Sequence, residues 1–209
     1  MDLIQTIAAG SGLAWASGLR LYAVVFLAGM LGRFGYVTLP GDLGVLTNWA
    51  VIGTSGVLFA VEFFADKIPG FDSVWDAIHT FIRIPAGAML AVGAMSSSVD
   101  PAWLLAAGLI GGTLASGSHL TKAGTRALIN TSPEPFSNWA ASFSEEALVV
   151  GGLYAAFTQP WVFFALLAIF MLLAIWLVPK LWRGVRFVLQ RLRGLRDSMS
   201  GVVVGRQAA

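Results

Sequence analysis

The chain has 209 residues, of which 57% are hydrophobic and 11% charged, with 24 glycines, 8 tryptophans and no cysteine. A soluble domain carries about 25% charged residues, so this sequence cannot clothe a water-exposed surface and reads as a polytopic membrane protein. Disulfide scaffolds and cysteine-ligated metal sites are excluded along with disordered tails and collagen-like repeats.

Hydrophobic stretches at 3–32, 44–65, 73–97, 102–126, 137–157 and 160–182 each approach the roughly 20 residues that cross a bilayer. They predict an all-α bundle of about six transmembrane helices. Turn signals fall between them at Pro40-Gly41, Pro69-Gly70, Asp100-Pro101, Pro133 to Pro135 and Gln159-Pro160. Met1 to Gly10 begins acidic and lacks a basic leader region, so no cleavable signal is expected.

Charge is unevenly spread. From Lys180 onward there are seven basic residues against Asp197 alone, leaving six basic and ten acidic residues before it. This divides the chain into a bundle over 1–179 and a basic tail over 180–209. In the tail, Leu181, Val185, Val188, Leu192 and Leu195 form an apolar stripe with Arg183, Arg186 and Arg193 off it. Such a helix suits a surface of anionic lipid, and no nucleic acid is expected as a partner. With the tail inside, six-span parity puts the loops at 67–72 and 127–136, flanked by Lys67, Arg83, Lys122 and Arg126, in the cytoplasm. It puts both termini there too.

Sliding the chain against itself aligns Gly53-Thr54 with Gly112-Thr113, Lys67 with Arg126, and Ser73-Val74-Trp75 with Ser137-Asn138-Trp139. Helices two and three would then repeat as four and five, two hairpins pointing the same way. The third, fourth and fifth helices are apolar in one half and polar in the other. Lipid cannot solvate those polar halves, so they are expected to face one another.

Asp72, Asp76, His79 and Arg83 recur at spacings of four, three and four, which puts them on one helix face. Glu62 and Asp66 end the preceding helix. His119, Lys122 and Arg126 make a cationic face on the fourth helix, and Glu145 and Glu146 lie on the fifth. These eleven residues are the candidate solute- or ion-binding set, with Asp72, Asp76 and His79 as the candidate metal ligands for a divalent cation such as Mg²⁺ or Mn²⁺. Arg20, inside the first span, reads as neutralising a carboxylate. Pro85 frees a backbone carbonyl within the third helix. No Walker loop, His-Glu-x-x-His, nucleophile elbow or dinucleotide fingerprint occurs.

The run Glu62-Phe63-Phe64-Ala65-Asp66-Lys67-Ile68-Pro69, continuing to Asp72, Trp75-Asp76 and Ile78-His79-Thr80, resembles an uncharacterised bacterial membrane family catalogued as domain of unknown function 4126. Ser17-Gly18-Leu19-Arg20-Leu21-Tyr22, His119 with Lys122 and Arg126, Asn130 through Asn138, and Ser144-Glu145-Glu146 extend the resemblance. It implies a bacterial plasma-membrane location and no particular activity. The residues themselves point to a small permease with a cytoplasm-facing charged pocket, proton- or cation-coupled, for a small anionic solute. The alternatives are a membrane-embedded metal-dependent enzyme acting on a lipid or phosphorylated head group, and a non-catalytic scaffold.

Overall fold

A computed structural model describes residues 1–95, 99–131 and 135–207, with side chains through Phe187 (Pro135 excepted) and at Gln190. It is all-helical among these residues. The helices are α1 (Leu3–Arg33), α2 (Trp49–Ala65), α3 (Phe71–Ala94), α4 (Pro101–Ile129), α5 (Pro135–Thr158) and α6 (Pro160–Gln207). A short 3-10 helix, Gly41–Thr47, precedes α2 and is bent 73° from it.

Caps mark the starts. Asp2 and Gln5 form a capping box before α1, and Asn48 and Asp100 accept the first free amides of α2 and α4. Gly70, at φ +84°, turns the chain tightly from α2 into α3, a backbone shape that other residues resist.

By length and apolarity α1, α3 and α6 could each cross a membrane, and the bent 3-10/α2 pair makes a fourth. α4 and α5 fall short because their halves nearest the 66–70 turn are polar, as the sequence predicts.

The largest departure from expectation is α1. A 31-residue helix would be about 46 Å long, well beyond a hydrocarbon core of about 30 Å. It is broken at Arg20, whose φ of −148° and ψ of 85° are not helical. The two arms fold back on each other. Going down the first arm, Gly10 meets Ala94, Gly12 meets Ala156 and Phe163, and Trp15 meets Gly152. At the tip Arg20 reaches Ser142. The second arm then returns along the same neighbours. Tyr22 meets His79 and Phe26 stacks on Phe59, while Leu27 and Leu31 share a groove with Tyr154 and Phe157. Arg33 lies over Trp49 at the top. A straight helix would carry Leu31 about 28 Å away from Gly12, yet both sit beside residues 156–157 of α5.

α1 is therefore a re-entrant helical hairpin. Non-crossing backbone of this kind is tolerated at membrane depth only when protein surrounds it, and 72% of the apolar window of α1 is buried against 11% for α6. This corrects the parity argument. α1 enters and leaves the bundle at one end, whereas α2 to α6 run between its two ends. The start of α1 lies at the end opposite the basic run of α6. The loops keep their assignment relative to that run, because Leu181 packs on Gly124 and Gly184 on Leu128.

α1 is the hub, touching every other helix, while α2 hardly touches α3 and α4 hardly touches α5. The two proposed repeat units thus exist as helix pairs but not as close-packed hairpins. The tightest seam is α3 on α4, where Gly87 faces Ala115 and Gly111 faces Ala91. α6 runs on as helix across the 179/180 boundary with Pro179 inside it. Val188, Leu192 and Leu195 of the predicted interfacial stripe, and Arg193 beside it, have side chains outside the described set.

Candidate functional site

Arg20 is drawn to the tip of α1 by acids from two other helices. Its Nη2 lies 3.1 Å from Asp66 Oδ2 and 3.5 Å from both Glu145 and Glu146, and donates to the Ser142 hydroxyl at 2.8 Å. Breaking a helix strands carbonyls, and α4 supplies donors for them. Ser118 Oγ donates to the Trp15 carbonyl at 2.7 Å and Lys122 Nζ to that of Leu19 at 3.2 Å. Gly18 allows this approach, since a Cβ there would run into Ser118 Oγ and the Ala115 carbonyl.

The predicted face of α3 is real. Asp72, Asp76, His79 and Arg83 are all buried. Arg83 donates to Asp76 and Glu62, each at 2.6 Å. Lys122 lies 2.6 Å from Asp66, 3.4 Å from Glu145 and 3.5 Å from Asp76. Arg126 binds both oxygens of Glu145 at 3.0 Å and donates to the carbonyls of Asp66 and Asn138. Lys67 lies 3.6 Å from Glu146 and over the Phe63 ring. Ten of the eleven predicted residues thus join one buried assembly of ion pairs and hydrogen bonds. His79 stands at its edge, bonded to Tyr22.

The hydrogen bonds assign the imidazoles. Thr80 spends its O–H on the Asp76 carbonyl, so its oxygen accepts from His119 Nε2–H at 2.7 Å. Arg83 can only donate, so His119 Nδ1 accepts from it at 3.2 Å, and His119 is neutral. His79 Nδ1–H donates to the Trp75 carbonyl at 2.8 Å, leaving Nε2 to accept from Tyr22 O–H at 3.2 Å.

At Asp66, just past the end of α2, burial acts to raise the carboxyl pKa. Lys122, Arg20 and Arg126 outweigh it and hold the group down at about 2.

Asp72, Asp76 and His79 do not converge as metal ligands. Asp72 turns to Asn130 and Ser73, Asp76 to Arg83 and Lys122, and His79 to Trp75 and Tyr22. A shared helix face leaves each side chain free to find its own neighbour. No group of three or more His, Asp or Glu side chains among the described residues is arranged to hold a metal ion.

Sequence reasoning undervalued Arg20, which is the hub. It also missed Ser142, Asn130 and Asn138. Asn130 donates to Asp72 at 2.6 Å, and Asn138 donates to Asn130 at 2.8 Å. Two asparagines flanking a Pro-rich turn beside charged helix ends were the available signal.

The fold and site define an all-helical membrane-type bundle in which a re-entrant helix carries a buried arginine into a cluster of carboxylates. The family model described as Domain of unknown function (DUF4126) matches residues 7–180, and the chain belongs to that family. No curated protein and no solved structure matches it.

Proposed function

We propose that the protein is a small membrane permease in which protons and a small anionic solute share the charge cluster at the α1 tip. The observation that carries this reading is the re-entrant α1 itself. A broken helix ending in a buried arginine at membrane depth is costly to build, and ionisable groups so placed mark solute and ion paths. Arg20, Lys122 and Arg126 are held by Asp66 and Glu145. A proton taken up elsewhere in the cluster lowers its negative charge and loosens the hold on these cations for an anion, which couples the two movements. The charged end is taken as cytoplasmic because Lys67, Arg126 and the basic run of α6 gather there, and the family resemblance supports a bacterial plasma membrane.

The test is purified protein in liposomes loaded with a pH-sensitive dye. Phosphate, sulfate and succinate are each added outside under an inward proton gradient. At least one should accelerate lumenal acidification, and Arg20→Ala should abolish the acceleration. No anion-dependent proton entry with any of the three sinks the reading.

A second reading rests on a specific observation: each of the five cations in the cluster is ion-paired. A non-catalytic scaffold whose charges fix helix register needs no more than that. Folded, stable protein with no flux would favour it.

A further inference from the structure

Among the described residues the cluster holds six carboxylates, Glu62, Asp66, Asp72, Asp76, Glu145 and Glu146. Against them stand five cations, Arg20, Lys67, Arg83, Lys122 and Arg126. His119 is neutral by its hydrogen bonds, and neither imidazole is ion-paired with a carboxylate among the described residues. One negative charge is therefore in surplus, in an interior where an uncompensated charge is expensive.

The pairing shows which acid it is. Glu62, Asp66 and Asp76 each have a cation at 2.6 Å, Glu145 is gripped through both oxygens at 3.0 Å, and Glu146 lies between Arg20 and Lys67. Among the described residues Asp72 has only Arg126, at 3.8 Å, and that guanidinium is already committed to Glu145 and two carbonyls. The two Asp72 oxygens also differ. Oδ1 accepts from Asn130 Nδ2 at 2.6 Å and from the Ser73 amide at 2.7 Å, whereas Oδ2 is buried with no hydrogen-bond partner among the described residues.

We infer that Asp72 is the proton-binding carboxyl of the cluster, protonated on Oδ2 in this closed arrangement. Burial and the distance of the nearest cation favour a neutral acid, against the Asn130 and Ser73 hydrogen bonds, which favour the charge. α4 presents Arg126 and Asn130, α3 presents Asp76 one turn away, and α5 presents Asn138 through Asn130. Asp72 sits in the first turn of α3, beside the 66–70 turn, so proton exchange occurs from that end of the bundle. Losing the proton puts a bare carboxylate next to Arg126 and draws that guanidinium away from Glu145. Glu145 in turn touches Arg20 and Lys122, so one proton at the rim is felt at the α1 tip.

The coupling role rests on the permease reading, whereas the proton site does not. The test is infrared difference spectroscopy of the reconstituted protein at about pH 7, in H₂O and D₂O. Wild type should show a deuterium-sensitive C=O band of a protonated carboxylic acid. Asp72→Asn should lose it and Gly12→Ala, which leaves every charge of the cluster in place, should keep it. If Asp72→Asn does not fold, Asp72→Glu should retain the band at a shifted frequency. A band that survives in Asp72→Asn, or is unmoved in Asp72→Glu, overturns the assignment, as does its absence from wild type. Loss of the band in Asp72→Asn, in a protein that moves no protons with any of the three anions, supports the proton site and ends the permease reading. Anion-dependent proton entry with an unchanged Asp72→Asn band does the reverse.

Discussion

In the half of the bundle away from the 66–70 turn, α1 meets its neighbours through small residues, with Gly10 on Ala94, Gly12 on Ala156 and Gly29 on Ile52. In the other half the same helix meets them through one guanidinium and a shell of carboxylates. The first half is held by close backbone approach, the mode open to helices in lipid, where burying apolar surface brings little gain. The second is held by charges that no lipid could solvate. α1 is short-armed and central because both demands meet at Arg20.

The sharpest way to break this comparison is to ask where the two arms end. The natural sequence has no cysteine, so single-cysteine variants report sidedness cleanly. Leu3→Cys and Gly44→Cys should react with a membrane-impermeant thiol reagent from one side of sealed vesicles, and Ile68→Cys from the other. All three positions are exposed. Labelling of positions 3 and 44 from opposite sides would restore a crossing α1 and dissolve the contrast.

Among substitutions, Arg20→Ala should cost most. It leaves Asp66 and Glu146 short of a buried counter-charge and removes the donor to Ser142. The loss should be about 3–5 kcal/mol, visible as a large fall in thermal unfolding temperature in detergent.

The pairing makes the next prediction asymmetric, since each cation near Asp76 has a second acid while Asp66 leans on Lys122. Lys122→Gln takes the closest counter-charge from Asp66 and strands the Leu19 carbonyl, so it should destabilise by about 2–4 kcal/mol. Asp76→Asn keeps the shape and leaves Arg83 paired with Glu62 and Lys122 with Asp66. It should shift stability by less than about 1 kcal/mol. Equal losses in the two variants would mean that this pairing does not govern this half.

In the glycine-packed half the effects should be smaller and steric. Gly12→Ala would push a methyl against Ala156, costing about 1–3 kcal/mol, with no change in any pH-dependent property. A pH-dependent loss there would show that the halves are not separable.

How far the sequence alone reached follows the same division. The helix ends at Arg33, Ala65 and Thr158 and the shared face of Asp72, Asp76, His79 and Arg83 were legible, because polar residues at helical spacing in an apolar chain can only point inward. The return of α1 was not. Its residues are as apolar as a crossing helix, and the break is one residue whose partners, Asp66 and Glu145, are distant in sequence. A surplus of Ala, Gly and Ser between Ala8 and Gly18 was the clue that this helix touches protein on every side. The metal triad failed for a related reason, since spacing on one helix fixes direction but not the neighbour that waits there.

The last prediction concerns acid, and in the working range its effect is nil. Asp66 is held at about 2, below its ordinary 3.8, with burial opposing and Lys122, Arg20 and Arg126 prevailing. A depressed carboxyl contributes stability that is fully present above the ordinary value and is lost as pH falls through the folded-state value. Thermal unfolding in detergent should therefore be insensitive to Asp66 from about pH 8 to about pH 5 and should weaken between about pH 4 and about pH 2. Lys122→Gln removes the leading counter-charge, so the folded-state value climbs toward the ordinary one and burial begins to dominate. The acid-induced loss should then begin at higher pH than in wild type. Gly12→Ala, altered only in the packed half, should keep the wild-type acid profile at a lower overall stability. Identical acid profiles for wild type and Lys122→Gln would mean that Lys122 is not what keeps Asp66 charged.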